Sequence, residues 1–309
     1  MRFLSTSPAL FALALSLSTA VYAVPYSSQD DYQPITRDLI LHRSRARIST
    51  RENLPPWLGP EYSDPQMLTP QDKRVFSSEL KDLKLGSRLK IPKEMAKENR
   101  GIWTVKDLKG YNGPADGLLA KIMADDLEGL RPDEALNANY GEVKVLKLIG
   151  DLVSVGFIED PDRGVGSKLK GKVKSIVKSN AQKDGKSMAR VVVMKKKKGM
   201  ELFNLDVHFK ATEQEQRQLE AEVKALTCKE VARIAVQNLV YHGDLHLGNI
   251  LVTMSGKKVV SIELIDWGMA RSVRKDHMPT LDDAYNYCFA QTEFRYASPQ
   301  REVTPERRR

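Results

Sequence analysis

The sequence predicts an α+β protein of two lobes, a small antiparallel sheet with one helix followed by a reduced helical part. Three observations carry that expectation. Short β-rich runs recur between residues 102 and 194, one stretch with apolar residues three and four apart interrupts them, and a second such stretch precedes a hairpin. The 309 residues include 49 basic and 40 acidic side chains, a net charge of +9, and 41% are hydrophobic, which supports a folded core and excludes wholesale disorder. Two cysteines are too few for a disulfide framework or a structural zinc site.

At the N-terminus, Arg2, the apolar run Leu10–Leu17 and the slim residues Val21-Tyr22-Ala23 predict an export signal over residues 1–23. The run is too short to span a bilayer, and Pro25 would end a helix there. The mature chain is expected to start near Val24, to be secreted into the extracellular space or delivered into another cell, and to carry no transmembrane span. An oxidising compartment would allow Cys228 and Cys288 to pair. No Asn-x-Ser/Thr sequon occurs, so N-glycosylation is not expected. Residues 24–95 hold Pro34, Pro55-Pro56, Pro60, Pro65 and Pro70 without a sustained period, and read as a disordered N-terminal segment. The pair Lys73-Arg74 within it is a candidate processing site, although most such pairs are plain surface charge.

The folded part is expected over residues 102–300. Ile102–Val105 reads as a strand, followed by a loop with Gly110, Gly113 and Gly117, and Leu118–Met123 as the next strand. Pro132 suits a first helical turn, Asp133 and Glu134 suit its positive end, and Leu136, Tyr140, Val143, Leu146 and Ile149 share one face. Leu152–Ile158 and Ala189–Met194 are β-rich. Thr227-Cys-Lys-Glu230 reads as a capping box opening a helix with Val231, Ile234, Ala235 and Leu239 on one side. Ile250–Met254 and Val259–Ile265 form a hairpin around Ser255-Gly256.

The chemistry concentrates in His242-Gly243-Asp244-Leu245-His246-Leu247-Gly248-Asn249 and, seventeen residues past Asn249, in Ile265-Asp266-Trp267-Gly268. Phosphoryl transfer needs one carboxylate to orient and deprotonate an attacking hydroxyl, and oxygen ligands to hold Mg²⁺ on the phosphates. These two segments resemble the catalytic loop and metal-binding motif of the protein-kinase-like superfamily. The His-Gly-Asp and Ile-Asp-Trp wording is most similar to its aminoglycoside, choline and lipopolysaccharide kinase-like branch. The resemblance implies a protein-kinase-like two-lobed fold that uses ATP and Mg²⁺. It assigns Asp244 as catalytic acid/base, Asn249 and Asp266 as metal ligands, His242 as structural support, and His246 as a neighbour of the phosphates. Upstream it makes Lys121 the lysine that grips the α- and β-phosphates and Glu142 its helix partner, with Glu134 as the rival. Gly113 would be the glycine facing the nucleotide, although Gly110, Gly113 and Gly117 depart from the family spacing.

Further departures shape the expectation. Gly243 stands where ordinary protein kinases have arginine, so control by a phosphorylated activation loop is not implied. The 43 residues after Asp266 are too few for the full helical lobe, as in the compact kinases that some pathogens secrete into host cells. The window 161–200 carries 13 basic and 2 acidic side chains, including Lys168, Lys170, Lys172, Lys174 and Lys195–Lys198. It reads as a solvated basic insert or as a docking site, over Lys168–Lys198, for an acidic partner. It contains no aromatic residue, so nucleic-acid recognition is not expected. The expected activity is transfer of phosphate from ATP to a protein hydroxyl. The alternatives are a small-molecule kinase and a pseudokinase that only binds.

Overall fold

A computed structural model describes residues 54–90, 99–124, 130–161, 182–183 and 186–292. The expected export signal, residues 24–53 and most of the basic insert lie outside the described residues. In chain order the strands and helices are β1 (Leu58–Glu61), β2 (Leu83–Arg88), β3 (Asn99–Leu108), β4 (Leu118–Met123), α1 (Pro132–Leu148), β5 (Leu152–Glu159), β6 (Gln182–Lys183), β7 (Lys186–Lys195), β8 (Met200–Glu201), α2 (Asp206–Phe209), α3 (Glu213–Asn238), β9 (Val240–Tyr241), β10 (Ile250–Ser255), β11 (Lys258–Leu264), β12 (Arg271–Val273) and α4 (Leu281–Gln291). Among the described residues no helix is long and apolar enough to cross a membrane.

The upper lobe is an antiparallel sheet in the order β2-β3-β4-β7-β5, with β6 pairing onto β7. Period-two alternation sorts its faces. Leu118, Ala120 and Ile122 of β4 join Val105, Ile158, Val191 and Val193 in one apolar cluster. Lys121 therefore points to the opposite face, where its register partner Val192 packs in the larger core with Val143 and Leu146 of α1. Pro132 occupies the first turn of α1, and the Glu134 carboxylate accepts from the Arg131 backbone N–H at 2.9 Å. Asn139 of α1 donates to the carbonyl of Ala124 at 2.9 Å, tying the helix to the exit of β4.

The lower lobe is built on α3, which buries Leu219, Val223, Val231, Ile234 and Ala235. Its N-cap, Thr212, lies fifteen residues before the Thr227 expected from sequence. Its capping box is Thr212 with Glu215, whereas Thr227 lies inside the helix, fully buried and, among the described residues, with no partner for its hydroxyl. The polar run Glu213–Gln218 hides the helix start because it shows no apolar period. A disulfide between Cys228 and Cys288 joins α3 to α4, with the Cα atoms 5.4 Å apart.

Two expectations are corrected here. Residues 54–90, read as part of a disordered segment, are ordered: β1 pairs with β12, and β2 forms the edge of the upper sheet. Prolines signalled disorder, yet Pro55 precedes the four-residue β1 and Pro60 lies within it, at a sheet edge where the missing N–H costs little. Single aromatic anchors, Trp57, Tyr62 and Phe76, bury this segment without any repeating pattern. The folded unit consequently begins well before residue 102.

Candidate active site

The sheet delivers Lys121, and the buried face of α1 delivers Glu142. The Lys121 Nζ donates to both carboxylate oxygens of Glu142, at 2.7 and 2.9 Å, with both side chains buried. Glu134 is engaged at the exposed start of α1, and so Glu142 is the partner the structure brings to Lys121. Burial pushes the Glu142 carboxyl above its usual range; Asp266 adds to that shift and Lys121 opposes it.

Asp266 joins the same cluster, its Oδ1 3.6 Å from the Lys121 Nζ. The lysine charge holds its carboxyl below the ordinary value against the effect of burial. Asp266 has φ of 60°, a left-handed conformation that an aspartate adopts at a cost of about 1 kcal/mol and that aims its side chain away from the β11 direction.

The loop after β9 places the second set. Asn249 Nδ2 donates to the backbone carbonyl of Asp244 at 2.9 Å and to its Oδ2 at 3.2 Å. The Asn249 carbonyl accepts from the Ile265 N–H at 3.0 Å, which locks this loop to the residue preceding Asp266. His246 accepts from the Gly248 N–H through Nδ1 at 3.1 Å and turns Nε2 toward Asp244 Oδ2, 3.6 Å away.

His242 connects the two segments. Its Nε2 lies 3.0 Å from the Ile265 carbonyl, and its Nδ1 is 3.3 Å from the Asp244 N–H. One neutral tautomer, with the proton on Nε2, satisfies both contacts. The ring packs on Trp267 with centroids 4.5 Å apart, and burial depresses the His242 pKa. Gly243 has a steric reason to lack a side chain. A Cβ there would lie 2.0 Å from the Met269 carbonyl, so the arginine of ordinary protein kinases has no room.

Hard cations take oxygen ligands, and the donor set fits Mg²⁺ on that ground. Asp266 offers carboxylate oxygens, and Asn249, anchored through Nδ2, turns its remaining polar atom, a carbonyl oxygen, to ligation.

Gly113 is not brought to this cluster. It lies in the β3–β4 turn, where a Cβ would sit 2.6 Å from the Tyr111 hydroxyl, so the residue gives way to a tyrosine ring. The register explains the miss. Lys121 pairs with Ile102 near the start of β3, and Asn99 pairs with Met123, so the β3–β4 turn that holds Gly113 lies at the opposite end of β4 from the lysine. The sequence linking β2 to β3 contains no glycine between Leu89 and Glu98. Sequence reasoning also missed Lys144 of α1 and its contacts Asp72 and Tyr62. Only the unexplained aromatic residues among the prolines could have flagged them.

A two-lobed α+β domain whose sheet lysine and helix glutamate meet the two acidic loops has the architecture of kinase-like phosphotransferases. Residues 183–293 match the family model of the ABC1 atypical kinase-like domain, about a third of the chain. The match runs from β7 to α4 and takes in Asp244, Asn249 and Asp266, while Lys121 and Glu142 precede it. This match, together with the fold, supports a protein-kinase-like assignment for the domain. No curated relative matches it.

Proposed function

We infer that the protein is an active, ATP- and Mg²⁺-dependent phosphotransferase acting on a protein hydroxyl. The observation that carries this reading is the joining of Lys121, Glu142 and Asp266 in one cluster, coupled through His242 to Asp244. A pseudokinase has no need to keep every one of these groups in register.

In this reading Lys121 holds the α- and β-phosphates, and Glu142 keeps the ammonium aimed. Asp244 orients the acceptor hydroxyl and takes its proton, with His246 beside it. Asn249 and Asp266 would hold Mg²⁺, which when bound neutralises charge building on the transferred phosphoryl group. A protein acceptor is the first reading. The wording of His-Gly-Asp and Ile-Asp-Trp favours a small-molecule acceptor as the second reading. Secretion remains part of the proposal, resting on the sequence of residues 1–23.

The test is incubation of the chain from Val24 onward with γ-labelled ATP and Mg²⁺, beside Asp244→Ala and Asp266→Ala. Label on protein is expected, with each variant losing roughly 10²–10⁴ of the rate. Label on small molecules selects the second reading. No transfer together with retained nucleotide binding would establish a pseudokinase.

A further inference from the structure

One stretch of chain, Trp57–Phe76, touches both halves of the candidate site from behind. Its first half grips the lower lobe. Trp57 packs edge-on against Tyr241 and Tyr287, with centroids 5.7 and 5.3 Å away. β1 pairs with β12, and the Tyr62 N–H donates to the carbonyl of Ala270, four residues past Asp266, at 2.9 Å. The Tyr62 hydroxyl donates to the carbonyl of Leu239 at 2.9 Å, at the left-handed end of α3 that leads into His242 and Asp244.

Its second half grips α1. Gly141, next to Glu142, lies so close to the stretch that a Cβ would sit 2.7 Å from the Ser63 backbone nitrogen. The Lys144 Nζ donates to the Met67 carbonyl at 2.5 Å and to Asp72 Oδ2 at 2.9 Å, and lies 5.9 Å from the centre of the Tyr62 ring. Asp72 is held in turn by the N–H and hydroxyl of Thr69, each at 2.9 Å. Phe76 then packs on Tyr140 of α1, with centroids 5.9 Å apart.

We propose that residues 57–76 form an intramolecular clamp that positions α1, so that Glu142 meets Lys121 in register with Asp266, and that Lys144 is its principal positioning residue. This rests on the phosphotransferase reading above. Gly243 leaves the acidic loop without the arginine through which ordinary kinases couple a phosphorylated activation loop to the site. The clamp ties the Asp266 segment and the Glu142 helix together by constitutive contacts. The contacts of Lys144, with Met67, Asp72 and the Tyr62 ring, include no group assigned to the chemistry, so its contribution is to geometry.

The experiment compares the chain from Val24 with Lys144→Ala and Lys144→Arg by steady-state kinetics and by hydrogen exchange across α1. Lys144→Ala is expected to lower kcat by roughly 10- to 100-fold, the range for displaced catalytic groups, with KM for the acceptor nearly unchanged. Exchange at Gly141–Leu146 should accelerate, and Lys144→Arg should restore both readouts, since its guanidinium can still reach Asp72. Unchanged kcat and unchanged exchange in Lys144→Ala overturn the clamp, as does an arginine variant no better than alanine. If the unsubstituted chain transfers no phosphate while Lys144→Ala still speeds exchange in α1, the phosphotransferase reading fails and the clamp stands as a structural device.

Discussion

His242 holds two backbone groups at once, and its protonation state follows from that task. With the proton on Nε2 the ring donates to the Ile265 carbonyl and accepts from the Asp244 N–H. A second proton on Nδ1 would face that N–H and break the link between the acidic segments. Burial already disfavours the cation and lowers the pKa from 6.5. The unfolded chain therefore binds the proton first as pH falls, so stability from the neutral ring is complete above pH 6.5 and is lost from there down through the depressed native value. Thermal melts between pH 7.5 and pH 5 should show a loss of stability from this group. The difference between the native chain and His242→Asn should narrow toward the acid end. A constant difference across that range would show that the imidazole titrates alike in the folded and unfolded states, so that folding does not depress its pKa.

At the scale of elements, legibility followed pattern length. β4, β5 and β7 were readable because β-branched and apolar runs of six or more residues are rare outside strands, and the middle of β7, Val191–Val193, is fully buried. The start of α3 was not, because six polar residues precede its first buried leucine. The site divides in the same way. Asp244, Asn249 and Asp266 lie within a short contiguous span whose spacing is itself the signal, while Glu142 could be separated from Glu134 only by geometry. Gly113 misled because glycine content marks any tight turn and does not say which end of the strand the turn serves. The clamp residues were invisible, since each makes its contact alone.

The α3–α4 bridge belongs to this scale as well. Cys228 and Cys288 are fully buried and close a loop spanning 60 positions. A cross-link of that span restricts the unfolded chain by about 4 kcal/mol in the loop-entropy description. Urea unfolding of the oxidised chain against Cys228→Ala/Cys288→Ala should show a loss of roughly 2–4 kcal/mol. The Trp57–Tyr241–Tyr287 cluster stands on the same α4, so loosening this helix should also shift the tryptophan emission. Equal stability of the two proteins would mean that packing of α4 on α3 is sufficient alone.

For the whole molecule, charge is the remaining unassigned property. The net charge is +9, and the window 161–200 alone exceeds it. Within the run Lys195–Lys198 the structure distinguishes roles. Lys197 is committed to the fold, its Nζ 2.7 Å from Asp151 and 3.4 Å from Glu263, and these acids help to raise its pKa. Lys195, Lys196 and Lys198 are exposed. The backbone beneath the first two is fixed, because Lys195 N–H donates to the Asp151 carbonyl at 3.0 Å and Lys196 N–H to the Gly117 carbonyl at 2.8 Å. Cations on an anchored backbone lose less freedom on meeting an anionic probe than cations on a free chain would. Poly-glutamate is a direct probe. Its binding should weaken at least tenfold between roughly 50 and 300 mM salt, as the screening length shrinks from above 10 Å to below 8 Å. Replacing Lys195, Lys196 and Lys198 with glutamine should weaken it further at low salt, while Lys197→Gln should instead lower the melting temperature. Salt-insensitive binding, or a triple variant that binds as well as the native chain, would assign this charge to solubility.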